Sequence, residues 1–474
     1  MKICSKCKKA VSAYYIKYCP FCGSRFDSDH KSQKQNTNAG EKEYILAKNY
    51  YYGIGGEKNL EEAFAWYLKA AEKGYSDAQY KVGYMYDNGE GVKEDKEEAF
   101  EWYMKAAKKG HTSAQCNLGY MYFYGKGVKE DKEEAFAWYM KAAEQGQTNA
   151  KYNLGYMYDN GEGVEEDKEE AFEWYMKAAE KGHTGAKYKL GCMYDNGEGV
   201  EEDKEEAFAW YMKAAEKGHT GAQYKLGYMY DNGEGVEEET EEAFAWYMRA
   251  AEQGLAKAQY KVGNMYSHGQ GVEEDQDEAL VWYMKAALQK HVSAQYEVAE
   301  AYYYGEGAEE DLEKAFDWYM KAAKQGLAKA QYAIGYMYSH GQGVEEDQGE
   351  AFDWYLRAAL QNHVNSQYEV GEAYYYGKGV WKDYKEAFTW CMKAAVQGSS
   401  DAQYSIGHMY YNGEGIEKDM DEAFTWYMKA AEKEVSEAQY SVGRMYFYGE
   451  SVVRNLKEAL SWYKKAVNNG YRVI

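Results

Sequence analysis

The residues best suited to chemistry are four cysteines near the amino-terminal end. They are spaced as Cys4-x-x-Cys7 and Cys19-x-x-Cys22, with eleven residues between the pairs. Two thiolates two residues apart can bind one tetrahedral ion from a tight turn, and a second such pair completes a shell of four sulfurs. A closed shell leaves no position for a substrate, so the pattern predicts one structural Zn²⁺ ion. A redox dithiol pair or an iron–sulfur cluster is the alternative.

The segment that carries these cysteines must bring the two pairs together. Residues 11–18, rich in tyrosine, predict a short β-hairpin between them. The stretch Tyr18-Cys19-Pro20-Phe21-Cys22-Gly23 resembles the second knuckle of the zinc-ribbon family, and the likeness covers residues 1–26. A domain of this size needs its ion to fold. Residues 27–40 contain no large apolar side chain and predict a flexible linker.

The remainder of the chain, residues 41–474, repeats with a constant period. A tryptophan marks the same place in each of twelve 36-residue units, at positions 66, 102, 138, 174, 210, 246, 282, 318, 354, 390, 426 and 462. Such a period is typical of arrays in which each unit buries its apolar face against its neighbours. We therefore expect one array with the tryptophans buried in its core.

Each unit carries the pattern of two helices. In the second unit, Ala78 and Val82 lie on the apolar face of a first helix. Ala99 and Trp102 begin the apolar stripe of a second helix. The unit is therefore predicted to be a helix–turn–helix.

Capping residues mark the ends of both predicted helices. Ser76 and Gln79 match a capping box at the start of the first helix, and Asp95 and Glu98 match one at the start of the second. Gly110 can adopt the left-handed conformation that ends the second helix. The same order of signals recurs in the following units.

The repeated motif is specific enough to suggest a family. The third unit reads Ala114-x-x-x-Leu118-Gly119-x-x-Tyr122-x-x-Gly125-x-Gly127-Val128-x-x-Asp131-x-x-x-Ala135-x-x-Trp138-x-x-x-Ala142-Ala143-x-x-Gly146. This motif resembles the Sel-one-like repeat, a relative of the tetratricopeptide repeat, and all twelve units carry it. The resemblance implies an all-α fold, a right-handed superhelical solenoid of helix–turn–helix repeats. It also implies an adaptor or scaffold, without naming a partner.

Net charge separates the two parts of the chain. Residues 1–40 carry eight basic and two acidic residues, a balance of +6, whereas the array carries 48 basic and 77 acidic residues, a balance of −29. An acidic array repels nucleic acid and anionic membrane surfaces. We therefore expect a protein or peptide ligand, with a basic ligand favoured, and no nucleic acid on the array.

Hydropathy and the start of the chain predict a cytoplasmic protein without membrane insertion. Charged residues interrupt every helix-length window, so no run approaches the ~20 apolar residues of a membrane span. The first seven residues are basic, but no apolar segment of a secretory signal follows them. A reducing cytoplasm also suits free thiols and thiolate ligands.

Variation between the units suggests where a partner binds. The position after the first-helix glycine varies most, and a helical wheel places it opposite Val82 and Tyr86, away from the core of its unit. In the resembled family the first helices line the concave face. These residues are therefore the candidate partner-binding surface: Tyr84, Tyr120, Tyr156, Tyr228, Asn264, Glu300, Tyr336, Glu372, His408 and Arg444. Neutral variation on a solvated face is the alternative.

No group of residues in the array has the spacing of a catalytic site, so we expect no enzyme. The sequence predicts a non-catalytic adaptor that binds a protein or peptide through the concave face, with the zinc ribbon as an additional docking module. The alternative function is a nucleic-acid-associated regulatory protein that uses the basic residues of the ribbon.

Overall fold

A computed structural model of the chain describes residues 2–3, 10–11 and 39–472. Strands β1 (Lys2–Ile3) and β2 (Ala10–Val11) pair antiparallel, with Lys2 opposite Val11. This pair brackets the first Cys-x-x-Cys motif in the sequence. The predicted zinc ligands Cys4, Cys7, Cys19 and Cys22, the hairpin beyond residue 11 and the linker up to residue 38 lie outside the described residues.

The chain forms two compact units, Met1–Glu238 and Glu239–Ile474. The helices of unit 1 are α1 (Glu41–Tyr52), α2 (Leu60–Glu72), α3 (Ser76–Asn88), α4 (Lys96–Ala107), α5 (Thr112–Tyr124), α6 (Lys132–Glu144), α7 (Thr148–Asn160), α8 (Lys168–Ala179), α9 (Thr184–Asn196), α10 (Lys204–Ala215) and α11 (Thr220–Asn232). Those of unit 2 are α12 (Thr240–Glu252), α13 (Ala256–His268), α14 (Gln276–Leu288), α15 (Val292–Tyr304), α16 (Leu312–Lys324), α17 (Ala328–His340), α18 (Gln348–Leu360), α19 (Val364–Tyr376), α20 (Tyr384–Val396), α21 (Ser400–Asn412), α22 (Met420–Glu432), α23 (Ser436–Tyr448) and α24 (Leu456–Asn468).

Odd-numbered helices are the first helices of the repeats and even-numbered helices are the second helices. Within each unit, every helix packs against the helix before it and the helix after it in the chain. This order confirms the predicted solenoid of helix–turn–helix repeats. Within the described ranges, no helix combines the length and the apolar character needed to cross a membrane.

The start of the second helices agrees with the prediction. Asp95 is the N-cap of α4, and its carboxylate accepts hydrogen bonds from the backbone N–H groups of Glu97 and Glu98, each 3.0 Å long. Asn59 and Asn455 take the same role in the first and last repeats. These caps satisfy amide groups that the first helical turn leaves without partners.

The capping box predicted for the first helices is wrong. Helix α3 begins at Ser76, but its N-cap is Tyr75, which makes no side-chain cap bond. Gln79 is buried instead, and its side-chain amide donates a 3.1 Å hydrogen bond to the carbonyl of Ala71 on α2. The glutamine therefore ties two successive repeats together, because its amide can pair with a carbonyl at the end of the preceding helix.

Turn glycines set how closely successive repeats approach. Gly127 has φ of +68°, and a Cβ atom placed on it would lie 2.0 Å from the carbonyl oxygen of Lys96, the first residue of α4. Only a residue without a side chain fits this contact comfortably. In the last repeat Ser451 occupies the place with φ of +63°, and its hydroxyl donates to the carboxylate of Asp421.

The core lies between the paired helices, and seven of the twelve repeat tryptophans are buried in it as predicted, while the other five are half-buried. In ten of the twelve repeats the tyrosine that follows the tryptophan is the more deeply buried residue, and Tyr67 and Tyr103 have no exposed surface. The exceptions are the repeat with Cys391 at this place and the last repeat, where Trp462 is more buried than Tyr463. Trp138 is 9 % exposed, and Trp102 is only half-buried. The open face of Trp102 is covered by Lys105, whose Nζ lies 3.8 Å from the ring centroid. A lysine or arginine three residues on covers each of the twelve repeat tryptophans in this way.

Candidate ligand-binding groove on the first helices

The predicted partner-binding residues lie beside the core tyrosines, and most of them are half-buried. Tyr120 and Tyr228 are the exposed members, and the remaining eight are half-buried: Tyr84, Tyr156, Asn264, Glu300, Tyr336, Glu372, His408 and Arg444. The side-chain amide oxygen of Asn264 accepts a 2.8 Å hydrogen bond from the Tyr283 hydroxyl.

Glu300 also departs from the helical-wheel prediction. Its carboxylate accepts a hydrogen bond from the buried Tyr319. The prediction that these side chains point away from the core is therefore wrong for Asn264 and Glu300. The cause is the length of the tyrosine, which reaches from the second helix to the polar atom on the first.

Five cavities occur at one repeating register, which we call the groove register. Each is lined by the variable position of a first helix, by the third and fourth residues after it, and by the core residue that the second helix contributes. In all but the cavity of the last repeat, the variable position on the first helix of the following repeat also lines the cavity. In unit 1 the cavity measures about 250 Å³ and is lined by Tyr120, Phe123, Tyr124, Tyr139, Tyr152, Asn153, Tyr156 and Met157.

In unit 2, three cavities follow one another without a gap. The first, of about 350 Å³, is lined by Glu300, Tyr303, Tyr304, Tyr319, Tyr332 and Tyr336, among others. The second, of about 270 Å³, includes Tyr336, His340, Tyr355, Glu369, Glu372 and Lys378. The third, of about 130 Å³, includes Glu372, Tyr375, Tyr376, Cys391, Tyr404 and His408. Tyr336 and Glu372 each line two of these cavities, so the three are neighbours in one row, which we call the unit-2 groove.

The fifth cavity lies in the last repeat and differs in charge from the others. It measures about 390 Å³ and is lined by Tyr440, Arg444, Phe447, Tyr448, Tyr463, Val467 and Tyr471. The Arg444 guanidinium lies 4.5 Å from the centroid of the Tyr411 ring. A cation here replaces the carboxylates of the unit-2 groove.

The residue three places after the variable position shapes the space at this register. Where it is aspartate, a polar network fills the space. Asp159 accepts hydrogen bonds from Lys168 at 2.9 Å and Lys189 at 3.2 Å, and the Tyr175 hydroxyl lies 3.3 Å away. Asp195 repeats the arrangement with Lys204 and Lys225. Phe123, Tyr303, Tyr375 and Phe447 stand at the same place in four of the cavities, and their rings form walls instead.

The surroundings of Asp159 and of the unit-2 groove also shift carboxylate pKa values in opposite directions. Burial alone would raise the pKa of Asp159, but the hydrogen bonds and charges of Lys168 and Lys189 hold that pKa below its ordinary value. In the unit-2 groove, burial and the neighbouring Glu369 raise the pKa of Glu372 to about 7, while Lys378 opposes the shift. Glu372 therefore holds a proton more readily than an exposed glutamate does.

Elsewhere in the described part of the chain, no group of three or more histidine, cysteine or acidic residues is arranged to hold a metal ion. Cys116, Cys192 and Cys391 are free thiols, and the first and last of these are buried. They occupy places that tyrosine holds in other repeats, as packing residues.

Comparisons with known proteins agree with the repeat assignment. The model of the Sel1 repeat matches twelve consecutive segments: residues 43–75, 76–111, 112–147, 148–183, 184–219, 220–255, 256–291, 292–327, 328–363, 364–399, 400–435 and 436–471. A crystal structure of a protective antigen of uropathogenic Escherichia coli with an SLR fold is 36% identical, covers 91% of this chain and 92% of its own, and has a TM-score of 0.77. A Sel1 repeat protein from Oxalobacter formigenes is 33% identical, covers 65% of this chain and 90% of its own, and has a TM-score of 0.52. A search of curated proteins gave no match.

Proposed function

The chain belongs to the Sel1 repeat family, and we propose that it is a non-catalytic adaptor whose first-helix cavities bind a protein or peptide partner. One observation carries this proposal: the five cavities all contain the position that varies most between repeats. The surrounding core of alanine, tyrosine and methionine changes little between repeats. A scaffold that only had to stack its repeats would have no need for cavities at this place.

The chemistry of the cavity walls suits a peptide ligand. Tyr124, Tyr304 and Tyr376 are 56 %, 62 % and 58 % exposed, although each lies against a cavity. Tyrosine offers a large apolar ring and a hydroxyl with few rotatable bonds, so little conformational entropy is lost when a partner orders it.

The amino-terminal segment is proposed to add a second docking module. Cys4, Cys7, Cys19 and Cys22 would hold one structural Zn²⁺, and the positive charge of residues 1–40 would suit an acidic protein surface. We place the protein in the cytoplasm, where thiolates remain reduced.

The adaptor role is tested by capturing partners on the full-length chain from native cells and measuring their affinity for variants. Tyr304→Ala with Tyr376→Ala removes two exposed rings from the unit-2 groove. We expect the partners to bind at least about tenfold more weakly to this variant, because such rings are typical binding anchors.

A matched control removes exposed apolar groups elsewhere. Leu288→Ala with Leu360→Ala truncates side chains that are 71 % and 68 % exposed at the ends of α14 and α18, and it should leave binding unchanged. Equal affinity for both variants would show that the groove is not the binding surface. Capture of nothing beyond a bare-resin control would contradict the adaptor role.

A further inference from the structure

Two cavities of the unit-2 groove are copies of one another, separated by 72 residues. Glu300, Tyr303 and Tyr304 line the first, and Glu372, Tyr375 and Tyr376 stand at the same places in the second. Tyr332 and Tyr404 complete the pair of sites from the next first helix. The two cavities thus share a half-buried carboxylate and three tyrosines, although Cys391 takes the place of Tyr319 in the second.

Hydrogen bonds hold the aromatic walls in place. The Tyr303 hydroxyl donates to the side-chain oxygen of Gln342 at 2.6 Å, and the Tyr375 hydroxyl donates to Glu414 at 2.7 Å. Each of these rings stands edge-to-face to the next tyrosine, with centroids 4.9 Å and 4.8 Å apart. The walls are therefore preorganised, which lowers the entropy cost of binding.

The tyrosine rings of the second cavity already attract cations of this chain. Lys378 Nζ lies 5.5 Å from the centroid of the Tyr376 ring, and Lys382 Nζ lies 5.7 Å from that of Tyr375. A cation near an aromatic face is stabilised by the negative charge of that face. Both lysines extend from the exposed turn after α19, so a ligand can displace them.

The charge around the two cavities also favours a cation. Glu297 lies beside Glu300, and burial followed by the charge of Glu300 raises its pKa, against the opposing charges of Lys329 and His268. Lys329 lines the first cavity, whereas no lysine lines the second. The three cavities of the unit-2 groove together are lined by three carboxylates, Glu300, Glu369 and Glu372, and by two lysines, Lys329 and Lys378. Acidic residues also outnumber basic ones in the whole array.

We propose that the unit-2 groove binds a basic peptide by receiving two of its arginine side chains, one beside Glu300 and one beside Glu372. This inference rests on the proposed adaptor function and adds the chemistry of the partner. Arginine fits better than lysine, because its planar guanidinium can stack on a tyrosine while its N–H groups pair with the carboxylate.

The repeat geometry sets the spacing of the two arginines. Neighbouring first helices line one cavity together, so each repeat advances by about one helix diameter, roughly 10 Å. Sites two repeats apart therefore lie about 20 Å from each other. An extended peptide advances about 3.3 Å per residue, which corresponds to roughly six residues between the arginines.

The test selects ligands for the full-length chain from phage-displayed random peptides of about 16 residues, long enough to span both sites. We expect the selected peptides to share two arginines about six residues apart. The affinity of one such synthetic peptide should fall at least about tenfold with Glu300→Gln and Glu372→Gln combined. It should rise with Lys378→Gln, which removes the competing cation.

Glu273→Gln with Glu345→Gln is the matched control, because it removes the same charge from exposed turn residues; it should change the affinity less than about twofold. Selected peptides without arginine that still lose binding with Tyr304→Ala and Tyr376→Ala would overturn this inference and leave the adaptor function intact. Equal affinity for the glutamine variants and the control would overturn it as well. If no peptide is selected and no cellular partner is captured, both proposals fail.

Discussion

At the residue scale, the core of most repeats depends on tyrosine more than on tryptophan. Tyr103 is fully enclosed by α3, α4 and α5, whereas Trp102 keeps an open face that Lys105 covers. The difference arises because Tyr103 points between the helix pairs, while Trp102 lies at the edge of the apolar stripe of the second helix. The periodic spacing of both residues is visible in the sequence, but their relative burial is not.

Zinc binding is the prediction that belongs to individual residues. We expect one equivalent of zinc per full-length chain, measured by inductively coupled plasma mass spectrometry. Cys19→Ser with Cys22→Ser should abolish it, because two remaining thiolates cannot close a tetrahedral shell. Cys192→Ser, which removes a free thiol of the array, should leave the metal content unchanged. An undiminished zinc content in the double variant would contradict the assignment.

At the element scale, histidines cap several first helices. The Nδ1 atom of His183 accepts a 3.0 Å hydrogen bond from the backbone N–H of Ala186, and its ring stacks on Tyr152 with centroids 4.4 Å apart. His219 repeats this on Tyr188. The same place is taken by His111, His291 and His363. The spacing of these histidines is visible in the sequence, but their stacking on a tyrosine of the preceding repeat is not.

These caps predict a pH-dependent stability. Burial lowers the pKa of His183 and His219 in the folded protein, so the unfolded chain takes up protons first. Their stabilisation is complete above the unfolded pKa of about 6.5 and is lost as pH falls through the lower folded value. Protonated Nδ1 can no longer accept the cap bond. Urea unfolding at neutral and acidic pH should show a loss of about 1 kcal/mol per cap.

The variant that isolates this effect is His183→Asn with His219→Asn, because asparagine caps a helix without titrating near neutral pH. Its stability should fall less on acidification than that of the wild type. His268→Asn changes an exposed histidine at the end of α13 and should leave the wild-type pH dependence intact. An equal pH dependence in all three proteins would show that the caps do not titrate.

The turns carry a second prediction at this scale. Gly127→Ala should destabilise the array by about 2–4 kcal/mol, because the added Cβ collides with the Lys96 carbonyl. Gly110→Ala should cost only about 1 kcal/mol. Gly110 also has positive φ, but no atom lies within 4 Å of its added Cβ.

The repeats themselves support this contrast. Lys290, Asn362 and Glu434 occupy the place of Gly110 with positive φ, whereas Ser451 is the one residue other than glycine with positive φ at the place of Gly127 in the described repeats. Chemical unfolding followed by circular dichroism would measure both variants. Equal losses of stability would mean that positive φ alone requires glycine at the position of Gly127. The contact with the preceding repeat would then play no part.

At the scale of the whole molecule, the repeat architecture could be predicted almost completely. Helix lengths, turns and the caps of the second helices follow from local sequence signals, and each repeat packs against its neighbours within a unit. The right-handed superhelical path and the zinc ribbon stay predictions. The variable positions were identified from the sequence, and the structure adds that five cavities lie at their register.

The sequence by itself determined the repeat, because capping, helical periodicity and turn glycines act over a few residues and recur with a constant period. Only the tertiary structure shows how the space beside each variable position is filled. Lys168 and Lys189 reach Asp159 from 9 and 30 residues away and fill the space beside Tyr175. Around Tyr303 and Tyr375 aromatic walls leave that space free. Whether a cavity forms depends on side chains from three helices, so it cannot be predicted from the sequence of any one helix.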